Sequence, residues 1–130
     1  MSAKLNLPAL VKTLAQREAQ ALLEEIGGVT AVVVATVDGF DVASALRTGE
    51  AARVAAMASS ISAISAVVSQ EARLGRNKSV TIDTEAGFAV VHSVYREDAE
   101  LVIIAIAHGG ALLGQVNYRV AQFARTLASA

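Results

Sequence analysis

Between Val54 and Gln70 the chain reads VAAMASSISAISAVVSQ, without one charged side chain. Val54, Met57, Ile61, Ile64 and Val68 recur at steps of three and four, the stripe of an amphipathic helix. A helix with a free outer face carries Lys, Glu or Arg opposite that stripe. Here the opposite face offers Ala55, Ser59, Ser62, Ala63 and Ala66. It is small and uncharged, and it suits the close approach of a second helix. The stripe of larger residues is therefore expected on the chain's own sheet, and the small face, with Gln70 at its end, against a second copy. A membrane span needs about 20 predominantly apolar residues. This run is shorter and rich in Ser, so no membrane insertion is expected.

The rest of the composition fits a chain with surface to bury. Of 130 residues, 54% are hydrophobic and 18% charged. That length supports one domain with one core, spanning residues 1–130. Surplus apolar residues at this size point to an interface between copies. The net charge of −1 leaves no basic field for a phosphate backbone, so no nucleic-acid partner is expected. The chain has no Cys, which removes disulfides, thiolate nucleophiles and thiolate-held metals. The N-terminal MSAKLNLPALVKTLAQREAQ carries charges throughout and lacks the continuous apolar segment of a signal peptide. The expected location is the cytoplasm.

The element order follows from periodicity and punctuation. A first helix is predicted over Leu7 to Ile26, capped by Asn6, with Pro8 in its first turn. Its buried stripe is Val11, Ala15, Ala19, Leu22 and Ile26, and Gly27-Gly28 ends it. VTAVVVATV, Val29 to Val37, is apolar on both faces and reads as a central strand. Asp38-Gly39 predicts a two-residue hairpin into a second strand, Phe40 to Ala45. Thr48 and Gly49 open the second helix, with Glu50 in its first turn, and it runs to Leu74 and stops at Gly75. Strands follow at Ser79 to Asp83, Phe88 to Val94 and Leu101 to Ala107. Gly109-Gly110 leads to a third helix with the stripe Leu113, Val116, Val120, Phe123 and Leu127. Short turns make the first two strands a hairpin and the last three a meander. Placing the two most apolar strands, the first and the fifth, side by side gives the order 2-1-5-4-3.

In this arrangement the chain resembles the roadblock/dynein light chain family. The resemblance covers about residues 21 to 127 and rests on a combination of features. These are GGVTAVVVATVDGFDVAS with its Asp-Gly turn, the Ala/Ser-rich second helix ending in Leu74-Gly75, the pattern SVTIDTEAGFAVVHSV, and Leu112-Leu113-Gly114 before the last helix. It implies an α/β (α+β), profilin-like roadblock fold of three layers. In it a five-stranded antiparallel sheet carries one helix on one face and two on the other. It also implies a non-enzymatic homodimeric adaptor that binds a small Ras-like GTPase and modulates its nucleotide cycle or localisation. Family dimers pair their second helices antiparallel and join their third strands. Ala55, Ser59, Ser62, Ala63, Ala66, Gln70, Val80 and Ile82 are the interface residues that this implies here. An open strand edge at Ser79 to Asp83 agrees, because such an edge invites pairing.

No catalytic, cofactor-binding or metal-binding residue is predicted. His92 and His108 sit in strands without HxH or HxxxH spacing and are expected to be hydrogen-bonded strand histidines. Asp38 with Asp41, and Asp83 with Glu85, frame turns. Gly27-Gly28 precedes a strand, and Gly109-Gly110 lacks the Gly-Lys-Ser/Thr ending of a phosphate loop. Arg73, Arg76 and Lys78 cluster after the second helix, where they complement its dipole or form a rim for an acidic partner. A second functional class, a small-ligand sensory domain of profilin-like architecture, would need a pocket between sheet and helix. With three Phe, two Tyr and no Trp, the interior is expected to be filled.

Overall fold

The computed structural model describes residues 7–130. In chain order the elements are α1 (Ala9–Glu25), β1 (Val29–Thr36), β2 (Asp41–Leu46), α2 (Ala51–Glu71), β3 (Ser79–Asp83), β4 (Gly87–Tyr95), β5 (Glu100–His108) and α3 (Leu113–Ser129). All strand pairs are antiparallel and the order is β2-β1-β5-β4-β3. The order read from the sequence is thus the order of the fold. The reason is burial: β1 and β5 are apolar on both sides, so only the middle of a doubly covered sheet satisfies them.

Alternation splits the sheet into two faces. Val32, Val34, Val90, Ile103 and Ala105 meet α1 and α3 in the larger core, around the fully buried Leu22, Phe123 and Leu127. Val33, Ala35, Val91, Val102 and Ile104 meet α2 on the other face. Every residue of the predicted α1 stripe is buried, as are Val116, Val120, Phe123 and Leu127 of α3, with Leu113 half-buried. Arg119 of α3 ties the two helices together through Glu18 at 3.0 Å and Glu25 at 3.3 Å.

The boundaries differ from expectation where local hydrogen bonds take precedence over residue type. The Asn6 cap lies outside the described residues, and Pro8 occupies the N-cap position of α1. The first hairpin loop is one residue longer than a two-residue turn. Thr36 N–H bonds to Phe40 O at 2.8 Å and Gly39 N–H to Thr36 O at 3.0 Å, with Gly39 at φ 99°. This is a three-residue loop whose last position needs a left-handed residue, and β2 therefore starts at Asp41 rather than Phe40. Glu50 is the N-cap of α2, not a first-turn residue. That helix ends at Glu71, before Leu74. Leu74 N–H bonds to Ser69 O at 2.8 Å and Arg73 N–H to Gln70 O at 3.2 Å. This is the Schellman pattern, and Arg73 takes its left-handed position at φ 59° where glycine is usual.

Candidate interaction surface

The geometry of α2 reverses the expected assignment of its faces. Its buried residues are Val54, Ala55, Ala58 and Ser62. Ala55 is 0% and Ser62 7% exposed, so these two predicted interface residues face the chain's own sheet. Ile64, Val67 and Val68, by contrast, are 67%, 59% and 56% exposed, and Met57 also faces outward. Of the predicted inner stripe only Val54 is buried, with Ile61 half-buried. The physical reason is room. The sheet under α2 already presents Val33, Val91, Val102 and Ile104. Ala55, Ala58 and Ser62 let the helix lie close on those side chains, whereas Met or Ile there would hold it off. Close packing is favoured because interiors approach crystal density, and the larger side chains are turned out.

The exposed stripe is continuous and bounded by charge. From Arg53 to Glu71 is eighteen residues, about five turns at 3.6 residues per turn. These two exposed residues therefore lie on one azimuth, about 27 Å apart along the axis. Met57, Ser60, Ile64, Val67 and Val68 fill the strip between them, and none is charged. The hydroxyls near it are satisfied locally. Ser60 Oγ donates to Ala56 O at 3.1 Å, Ser65 Oγ to Ser62 O at 3.0 Å, and Ser59 Oγ to Val37 O at 2.6 Å on the first hairpin. Of the remaining predicted positions, Ala63, Ala66 and Gln70 are exposed and Ser59 is half-buried.

Beside this strip lies the β3 edge. Val80 pairs with Val91 and Ile82 with Ala89, which puts both on the α2 side of the sheet. Val80 is half-buried and Ile82 exposed. An open groove of about 460 Å³ runs between the two elements, lined by Ile61, Ile64, Val68, Val80 and Ile82 among others. The structure therefore joins α2 and β3 into one apolar surface, through residues partly different from those the sequence suggested. Met57, Ile64, Val67, Val68 and Leu74 were missed as surface residues. The signal available was the Arg53–Glu71 spacing, which marks the azimuth where the charges resume.

The three basic residues are all exposed. Arg73 and Arg76 line a groove of about 540 Å³ with Gln70, Tyr95 and Glu100, while Lys78, just before β3, is not part of its lining. The Arg76 guanidinium lies 4.1 Å from the centre of the Tyr95 ring, a cation–π contact. The Tyr95 hydroxyl donates to Asn77 O at 2.6 Å, which fixes the loop against β4.

A second cleft of about 280 Å³ opens between α2 and the sheet, lined by Met57, Ile61, Ile82, Phe88, Ile104 and Ile106 among others. It is open at the surface, and its space lies below the range of about 300–1,000 Å³ usual for ligand pockets. His92 is buried, its Nε2 at 2.8 Å from Asn117 Oδ1 on α3. His108 Nδ1 is 3.2 Å from Thr30 Oγ1. Among the described residues no three His, Cys, Asp or Glu side chains gather as a metal site. By length and composition α2 is one helix long and apolar enough to cross a membrane, and here its inner side packs on the sheet.

The Roadblock/LC7 domain model matches residues 15–105. The chain belongs to the Roadblock/LC7 family. No curated protein is a significant sequence match. Among solved structures it is similar to the gliding protein MglB from Thermus thermophilus. That likeness has 16% identity and a TM-score of 0.84, and covers 99% of this chain and 96% of that one. An MglB structure in a tetrameric arrangement gives 17% identity, a TM-score of 0.83 and the same coverage, 99% and 96%. A Roadblock/LC7 domain from Streptomyces avermitilis gives 15% identity and a TM-score of 0.76, over 86% of this chain and 92% of that one. At these identities the likeness is one of fold. The Roadblock/LC7 match and these neighbours agree with the five-stranded sheet and its strand order.

Proposed function

We propose that this Roadblock/LC7 protein is a cytoplasmic, homodimeric platform that binds a small Ras-like GTPase and regulates its nucleotide cycle. The observation that carries the reading is the uncharged α2 strip flush with the open β3 edge. A lone chain would leave Met57, Ile64, Val67, Val68 and Ile82 in water, each worth about 1.5–3 kcal/mol when fully buried. A second copy laid antiparallel about a two-fold axis covers the strip and sets Arg53 against Glu71 of the partner subunit at both ends. The β3 edge then gains a partner strand. Similarity to MglB supports a role in the same kind of system, and the tetrameric arrangement of one MglB structure supports self-assembly. The platform needs no chemistry of its own, because its effect is exerted through a bound partner.

The test is titration calorimetry against small Ras-like GTPases of the same organism, loaded with GDP or with a non-hydrolysable GTP analogue. Binding that prefers one nucleotide state supports the reading, and equal or absent binding across the set refutes it. The sensory alternative is favoured only by the apolar cleft beneath α2. A metabolite that raises the melting temperature while the GTPases fail to bind would select it.

A further inference from the structure

The two edges of the sheet are treated differently. Along an edge strand, backbone groups alternate between facing the neighbouring strand and facing outward. Arg47 N–H, just past β2, reaches Thr30 O of β1 at 2.8 Å, which leaves the backbone groups of Ser44 on the outer side of β2. The carboxamide of Gln16, on α1, takes both of them. Its Nε2 donates to Ser44 O at 2.7 Å and its Oε1 accepts from Ser44 N–H at 3.1 Å. A primary amide presents a donor and an acceptor side by side, as a peptide group does. Gln16 therefore stands where the backbone of an added strand would stand. A second tie fixes α1 over this edge, with Arg47 Nη2 donating to Leu23 O at 3.3 Å.

The β3 edge has no such cover. Ser93 N–H bonds to Lys78 O at 3.0 Å and Thr84 N–H to Gly87 O at 2.8 Å. By alternation the backbone groups of Ser79, Thr81 and Asp83 face outward, and among the described residues nothing bonds to them. A sheet with one open edge closes after a single two-fold pairing, whereas one with two open edges continues to grow.

We propose that Gln16 is an edge guard: it occupies the outer hydrogen-bonding position of β2 and so confines sheet extension by further copies of this chain to β3. The guard goes beyond the proposed dimer and does not depend on it, because it is read as a change in mass relative to the parent, whether the parent is a dimer or a monomer.

Light scattering on three variants at micromolar concentration tests it. Gln16→Val removes the amide, and its weight-average mass is expected to rise at least about twofold over the parent. Adding Ser44→Pro to that chain removes the outward N–H and returns the mass to the parental value. Gln16→Lys loses the paired bonds but places a charge at the edge, an accepted block to strand pairing. It keeps the parental mass while melting as low as Gln16→Val. If Gln16→Val melts lower yet keeps the parental mass, Gln16 is a structural tie only and the proposal fails. Should Gln16→Val not fold, hydrogen exchange on the parent decides. The Ser44 amide should exchange at least about tenfold more slowly than the outward amide of Leu46; equal rates overturn the proposal.

Discussion

A single carboxylate on the outer strip of α2 separates the role of that face from its contribution to the fold. Ile64 has 67% of its surface in solvent. Full burial of such a side chain is worth about 1.5–3 kcal/mol, so about 1–2 kcal/mol remains to be gained on association. A two-fold dimer contains the residue twice, which makes about 2–4 kcal/mol. Ile64→Glu forfeits that and also brings a carboxylate into an apolar contact, which costs more unless it is protonated. At about 1.4 kcal/mol per tenfold, the apolar loss alone weakens the dimer about 30- to 700-fold. Sedimentation equilibrium should show a dimer for the parent and a monomer for Ile64→Glu at the same micromolar concentration. Thermal melts extrapolated to the monomer should be little changed. Ser62→Glu is the contrasting variant: with 7% exposure against the sheet, it should unfold the chain rather than merely dissociate the dimer. If Ile64→Glu dimerises as tightly as the parent, the reasoning about this face is wrong.

Arg73 stands in the left-handed region at φ 59°, which costs a residue with a side chain about 1–2 kcal/mol. Arg73→Gly relieves that at about 0.5–1 kcal/mol of added chain entropy, so urea unfolding should show an unchanged or slightly raised midpoint, and a fall would refute the strain. Arg96, hydrogen-bonded to Leu127 O and Ala130 O and paired with Asp98 at 2.8 Å, holds the end of α3; Arg96→Met should cost about 1–3 kcal/mol by urea titration. The hydrogen bond from Arg96, helped by its charge, keeps the Asp98 carboxyl below its ordinary range. Its contribution is thus full above about pH 4 and fades as pH falls through the lowered value, so melting of the parent and of Asp98→Asn should converge in acid, and a gap that persists there contradicts the pairing. Arg53→Glu should weaken association, and Arg53→Glu with Glu71→Arg should restore most of it, by about 0.2–1 kcal/mol per pair; no recovery would argue against the antiparallel arrangement.

How much of this was legible depends on which physical effect decides each feature. Strand order was, because Val29 to Thr36 and Leu101 to Ala107 have no polar face and only the sheet centre suits them. The stripes of α1 and α3 were, because charged residues mark their outer sides. The rotation of α2 was legible only in the spacing of Arg53 and Glu71, not in the hydropathy pattern. With no charge from Val54 to Gln70, hydropathy alone does not say which face turns inward, and the bulk of Val33, Val91, Val102 and Ile104 beneath it decided in favour of Ala55, Ala58 and Ser62. The end of α2 was displaced for a local reason, since amides at Arg73 and Leu74 close its last carbonyls before the glycine is reached. Gln16 carried no signal, being one polar residue on the outer face of a helix. Its meaning comes from Ser44, twenty-eight residues away.

Because the chain has no Cys of its own, single cysteines report on the arrangement of two copies without background. Chains carrying Arg53→Cys and chains carrying Glu71→Cys, mixed and joined with a short thiol-reactive linker, distinguish antiparallel from parallel helices. A two-fold antiparallel pairing of α2 predicts that only unlike chains are joined. Joining of like chains, or none at all, would contradict it.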